Sequence, residues 1–284
     1  MEFRSKVVAI VGQTASGKTR LAVELAKKFK GEIICADSRT IYKGMDIGTA
    51  KPSASQQEEV PHHCLDIIYP DQQYSVAQFK IDAQNAIDNI CSKGKVPFIV
   101  GGSGLYIDAL LYDFDLEKKD ARKLDKDLDL EELQLMSRKL GLNASEQTMQ
   151  NKQHLMRFIE RGGASNRKKL RNTLLIGVEL DKETLNKRIA ERVDQMVSRG
   201  IINETKNLLI TYGSQNIALK TSGYGPLVSF INSEISSDET KSGLVKIHKN
   251  LAKKQKTWFK RNKDINWVND IYQAEQLIND YLVQ

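Results

Sequence analysis

Apolar residues fall in short runs closed by glycine or by acidic turns, alternating with longer stretches of helical spacing. Lys6–Val11 reads as a first strand ending at a glycine loop, and Gly17–Phe29 follows with helical periodicity. Glu32–Ala36 is a second strand, ending at Asp37-Ser38. Arg39 to Gln73 is loop-rich and holds Gly44, Gly48, Pro52, Pro61 and Pro70. Ser75 caps a helix to about Cys91. Lys95–Val100 is a third strand, closed by Gly101-Gly102-Ser103-Gly104 and a helix to about Leu111. The recurrence of strand, glycine loop and helix predicts an α/β fold, with a parallel sheet covered by helices on both faces.

The middle of the chain breaks this rhythm. Asp113 to Gly162 is charge-dense and helix-prone and contains no strand pattern, so it reads as a small helical insertion with Gly162-Gly163-Ala164 as the return linker. Thr173–Leu180 resumes a strand, Asp181 caps a helix to about Arg199, and Gly200 ends it. Ile265–Val268 is the last strand, before a C-terminal helix. The expected organisation is a core of residues 1–112 and 172–284, interrupted by an insertion of residues 113–171.

Composition narrows the class. No apolar run reaches bilayer length, and Met1 to Val11 is too short for a secretory signal. Cys35, Cys64 and Cys91 have neither metal-ligand spacing nor a disulfide framework, which fits a reducing cytoplasm. The net charge of +7 favours a polyanionic partner. Between Lys241 and Lys263 there is no acidic residue. Lys246, Lys249, Lys253, Lys256, Lys260 and Lys263 form one basic stripe at helical spacing, while Leu244, Ile247, Leu251 and Trp258 form a face to dock on the core.

Gly12-Gln13-Thr14-Ala15-Ser16-Gly17-Lys18-Thr19 fits the phosphate-loop pattern G-x-x-x-x-G-K-[ST] between a strand and a helix. Its glycines let backbone N–H groups turn toward phosphate oxygens, the helix N-terminus adds a positive dipole end, Lys18 a cation, and Thr19 a hydroxyl for Mg²⁺. The loop alone does not choose between kinases, GTPases, ATPases and transferases. There is no clear Walker-B-like strand ending in aspartate of the kind a motor ATPase carries; Lys95–Val100 ends in a second glycine loop instead. Ser103 there can donate to a phosphate or leaving-group oxygen, or simply cap a helix. Asp37 can hold Mg²⁺, act as a general base, or form a turn with Ser38.

Further blocks make the pattern specific. Asp37-Ser38 with Ile41 to Pro52, Val60-Pro61-His62-His63, Tyr74 to Phe79, Gly101 to Tyr106, Arg188 to Met196, Gly223-Tyr224 and Ala252 to Phe259 together resemble the tRNA dimethylallyltransferase (isopentenyltransferase) family, in order along nearly the whole chain. The resemblance implies a P-loop NTPase-like core with a helical insertion. It implies transfer of a dimethylallyl group from dimethylallyl diphosphate to the 6-amino group of the adenosine on the 3′ side of a tRNA anticodon. By resemblance Asp37 is the general base, and Lys18 and Ser103 stabilise the leaving diphosphate. The diphosphate site takes in Gly12, Thr14, Ala15, Ser16, Gly17, Thr19 and Lys220, with Mg²⁺ on Thr19. For the tRNA anticodon stem-loop the implied contacts are Ser38, Thr40, Lys43, Gly48, Thr49 and Lys51, Arg157 of the insertion, and Lys249, Lys253, Lys256 and Lys260. The family implies a monomer.

The chain departs from the family pattern at Thr40, His154, Lys220, Gly225-Pro226 and Ile247-His248. At Lys220 the family often carries arginine, and lysine keeps the charge without the bidentate fork. Most departures fall on elements expected near the tRNA, which implies a diverged member with altered RNA recognition. The rival readings are an adenylate isopentenyltransferase acting on a free nucleotide, a small P-loop kinase with Asp37 on the acceptor hydroxyl, and a non-catalytic RNA-binding protein.

Overall fold

The computed structural model describes residues 6–112, 124–125, 127–142, 144–160, 172–220 and 223–283. The chain divides into two compact units, Met1–Leu111 with Arg171–Gln284, and Tyr112–Leu170. The larger opens with β1 (Val7–Gly12), α1 (Lys18–Lys28), β2 (Gly31–Cys35), α2 (Ala54–Glu59), β3 (His62–His63), α3 (Val76–Ser92), β4 (Val96–Gly101) and α4 (Gly104–Leu111). The smaller contains α5 (Leu130–Lys139), α6 (Glu146–Met149) and α7 (Lys152–Glu160), gathered on buried Leu133, Leu155 and Ile159. The larger resumes with β5 (Thr173–Val178), α8 (Lys182–Ser198), α9 (Ile201–Tyr212), α10 (Gly225–Ile231), α11 (Ser237–Phe259), β6 (Ile265–Val268) and α12 (Ile271–Val283). Gly162-Gly163-Ala164 lies outside the described residues.

Among the described residues a six-stranded sheet runs β3-β2-β4-β1-β5-β6, every pair parallel. β1 reads Val-Val-Ala-Ile-Val-Gly and is buried throughout, as a strand covered on both faces must be. The chain leaves β1 toward β2 on one side and β4 toward β5 on the other. α1 packs with α12 and α2, whereas α4 packs with α3 and α11. The crevice at the C-terminal ends of β1 and β4 is therefore the topological switch point, where such sheets bind ligands. The register places Val11 beside Gly101 and Cys35 beside Val100, so three strand ends meet there. Gly101 is required by this meeting: a Cβ on it would stand 2.0 Å from the Ala36 carbonyl oxygen.

Four elements differ from the sequence expectation. α2 and β3 lie in the stretch read as loop: α2 buries no residue and so has no apolar period, and β3 is two residues paired to Ile33 and Ile34. α2 forms through a capping box of Ser53 and Gln56 instead. β5 stops at Val178, before Leu180. On α11 the buried face is Thr240, Leu244, His248, Ala252, Gln255 and Phe259, not the Ile247–Leu251–Trp258 line. The helix turns polar residues inward because it covers a polar site, which an apolar pattern cannot announce.

At the opposite strand ends Glu32, its side chain 2% exposed, accepts hydrogen bonds from Lys95 Nζ at 2.7 Å, His63 Nε2 at 2.7 Å and Lys93 Nζ at 3.3 Å. Burial raises its pKa, but the bonds from Lys95, His63 and Lys93 outweigh that and hold it at about 2. A depressed carboxyl pKa stabilises the fold above its unfolded value and loses that contribution as pH falls. Glu32→Gln is expected to cost about 2 kcal/mol at pH 7. In denaturant titrations the gap from wild type should close as pH falls from 4.5 toward 2; a gap independent of pH would refute the assignment.

Candidate active site

A cavity of about 520 Å³ opens at this switch point. Its phosphate-loop wall begins where β1 ends. α1 starts at Gly17, a left-handed residue with φ 91°, and no side chain caps it, which leaves its first N–H groups for a ligand. The loop is braced from α11. Gln13 Nε2 donates to the Ala252 carbonyl at 3.1 Å, and the Thr14 N–H donates to Gln255 Oε1 at 2.6 Å. Gln255 Nε2 in turn donates to the Gly102 carbonyl at 3.1 Å. One carboxamide thus ties the two glycine loops together, and a Cβ on Gly102 would meet it at 2.2 Å.

Asp37 sits at the end of β2 in a tight turn. Its Oδ1 accepts the Arg39 N–H at 2.9 Å, while Ser103 Oγ accepts the Ser38 N–H at 3.0 Å. The Ser103 N–H donates to the Ala36 carbonyl at 3.3 Å, so the β2 and β4 loops hold one another. Thr40 is buried, with its hydroxyl 3.4 Å from the Asp37 carbonyl. Among the described residues lining the cavity Asp37 is the one carboxylate, and it shares that lining with the cations Lys18, Arg39, Arg192 and Lys254. Burial, aided by Arg192 and opposed by Asp37, pushes the Lys18 ammonium down to about 8. Burial likewise lowers the Arg192 pKa, again against Asp37. Ile33, Val100, Leu105, Leu251 and Trp258 supply an apolar wall.

Of the residues expected from sequence, Thr14, Lys18, Thr19, Asp37, Ser38, Thr40, Gly48, Thr49 and Ser103 line this cavity. Gly12, Ala15, Ser16 and Gly17 shape the loop behind it. The Ser16 carbonyl accepts Arg188 Nη1 at 3.3 Å. Lys220 is not in the lining: it is exposed, and its Nζ donates to Gln215 Oε1 at 2.7 Å. The half-buried Arg192 and Arg39 are the arginines of that lining, and the sequence reading assigned neither of them a role.

The other expected RNA contacts divide. The Lys51 side chain is buried between the Asp46 and Asp66 carboxylates and bonded to the Tyr42 carbonyl, so it clasps the loop and its ammonium is not offered outward. Thr49 Oγ1 donates to the Met45 carbonyl, and Lys43 Nζ stands 4.7 Å over the Tyr69 ring. The loop is fixed by Glu204 of α9, which accepts the N–H groups of Asp46, Ile47 and Gly48 and the Tyr224 hydroxyl. Glu204 carries no motif and was missed. Lys249 and Lys253 are exposed on α11, but Lys256 and Lys260 pair with Glu179, at 2.6 and 3.5 Å, and Lys260 lies past the helix end. The Arg157 side chain lies outside the described residues. No helix among the described residues is long and apolar enough to cross a membrane.

Comparisons with known proteins give the family. The family model described as IPP transferase matches residues 40–262. A tRNA dimethylallyltransferase of Staphylococcus haemolyticus is 37% identical, over 96% of this chain and 90% of its own. The crystal structure of a tRNA delta(2)-isopentenylpyrophosphate transferase from Staphylococcus epidermidis superposes with a TM-score of 0.76 at 34% identity, covering 98% of this chain and 99% of that one. A full-length tRNA isopentenylpyrophosphate transferase from Bacillus halodurans gives a TM-score of 0.78 at 31% identity, covering 98% and 97%.

Proposed function

The chain belongs to the IPP transferase family, and from that premise we propose that it transfers the dimethylallyl group of dimethylallyl diphosphate to the 6-amino group of the adenosine 3′ to a tRNA anticodon. The observation that carries this reading is the polarity of the cavity: one carboxylate, Asp37, opposite a phosphate loop and its cations, with an apolar wall suited to a five-carbon chain.

An adenine amine is a weak nucleophile, its lone pair being delocalised into the ring. Asp37 accepts a hydrogen bond from it and takes its proton as the nitrogen bonds to the allylic carbon. The carbon–oxygen bond breaks, and its electron pair leaves with the diphosphate. The α1 N-terminus, Lys18, Arg192 and Ser103 stabilise that growing negative charge. The apolar wall keeps water from the allylic centre.

Thr19 would hold Mg²⁺. Among the described residues no three His, Cys, Asp or Glu side chains converge, so the ion would draw its other ligands from diphosphate and water, as Mg²⁺ does. When bound it neutralises diphosphate charge. The exposed Lys246, Lys249 and Lys253 would hold RNA phosphates, with affinity falling as salt rises. From the proposed tRNA substrate we infer that the protein works in the cytoplasm.

The test supplies Mg²⁺, labelled dimethylallyl diphosphate, and either an anticodon stem-loop with an adenosine run or free AMP, with mass spectrometry of the products. Prenylated RNA is expected; prenylated AMP alone would move the protein to the nucleotide-acceptor class. Lys18 adds a pH signature. Its lowered pKa means that the free protein loses this charge as pH rises through about 8, so diphosphate binding must then restore the proton. Above pH 8 the Kd for dimethylallyl diphosphate should gain a further slope, rising by up to about an additional tenfold per unit. Lys18→Met should remove that slope, and a slope kept in the variant would exclude Lys18 as its source.

A further inference from the structure

One polar group in the cavity belongs neither to the phosphate loop nor to the Asp37 turn. His248 lies on α11 one turn before Ala252 and about two turns before Gln255, the residues that brace Gln13 and Thr14. It therefore shares the helix face turned to the phosphate loop. It is 5% exposed and lines the cavity, and neither ring nitrogen has a hydrogen-bond partner among the described residues. Ser16 Oγ and Arg192 Nε, around the same loop, are also buried and unpartnered. Buried polar atoms left unpaired cost free energy, and His248 and Arg192 line the place where a phosphate chain would supply acceptors.

The reading of this cavity as a diphosphate site underlies the next step: we propose that His248 donates a ring N–H to the diphosphate and gains a proton when that group binds. The elements packed around it define its field. α8 contributes Arg188 and Arg192, with Asp194 paired to Lys241. α1 contributes Lys18, the turn after β2 contributes Asp37, and α4 contributes Tyr106 and Asp108. α10 carries no titratable residue, and Lys254 of α11 lines the same cavity. In the free protein burial and then Arg192 push the imidazole down to about 4, so it is neutral at pH 7. A diphosphate brings several negative charges against Arg192 and reverses the sign of the local field, which favours the imidazolium.

The chain has four histidines, so histidine side-chain NMR is simple enough to read, with His248→Gln assigning the resonance. Wild-type protein labelled on histidine would be titrated at pH 6.5 with inorganic diphosphate, and separately with the unreactive thiolo analogue of dimethylallyl diphosphate. The expected result is a move of the His248 ring resonances from neutral to imidazolium values, with a Kd about tenfold weaker in His248→Gln. Saturation by diphosphate with His248 unmoved would overturn the proposal while leaving the diphosphate site intact. Failure of the folded wild type to bind any diphosphate would overturn the reading of the cavity itself.

Discussion

Asp37→Asn should lower kcat for prenyl transfer by about a thousandfold, with the KM for dimethylallyl diphosphate changed by no more than a few fold. The reason is local. Asn keeps the oxygen that accepts the Arg39 N–H, so the turn survives, but it cannot take the amine proton. Asp37→Ala removes both functions and should be no more active than Asn. The comparison separates the two roles that the sequence leaves open. If Asp37 served the turn alone, Asn would retain near wild-type activity and Ala would lose thermal stability as well as rate. Single-turnover measurement of prenylated stem-loop, with circular dichroism on each variant, decides between them.

The second large effect is expected at Arg192. Arg192→Met should reduce kcat/KM by about a hundredfold or more, because it removes a cation from the wall that faces the leaving diphosphate. The same variant should melt slightly higher, by about 2 °C, since burial disfavours the guanidinium in the empty site. A gain in stability with a loss of rate is the mark of a group held for function rather than for the fold. Lys220→Met is the control. That side chain is exposed and bonded to Gln215, so kcat/KM should stay within about threefold of wild type. The reverse ranking, with Lys220 critical and Arg192 dispensable, would require a filled-site arrangement in which Lys220 enters the cavity.

Residues that act through local backbone geometry were legible in the sequence. The phosphate loop needs glycines at fixed offsets between a strand and a helix, and Ser75 and Asp181 cap helices through their own neighbours, so a short window carries each signal. The parallel sheet followed from alternating apolar runs, and Asp37 and Ser103 stood out because each lies in the turn just past a strand end. Motifs along the chain also carried the resemblance to the family that the comparisons then showed. What depended on distant residues was not legible. Gln255 reaches Thr14 across 241 positions, and Glu204 reaches Gly48 across 156. Lys51 and Lys220 are both lysines near glycine blocks, yet one is buried between two carboxylates and the other lies outside the cavity. The docking face of α11 was misread for the same reason: its inward residues serve a polar site, and hydrophobic periodicity reports only apolar burial. Sequence by itself determined the sheet, the phosphate loop and the position of Asp37 after the second strand, because each is encoded within a few residues. Tertiary structure alone decided which cations face that carboxylate, because charge on a side chain says nothing about where packing will carry it.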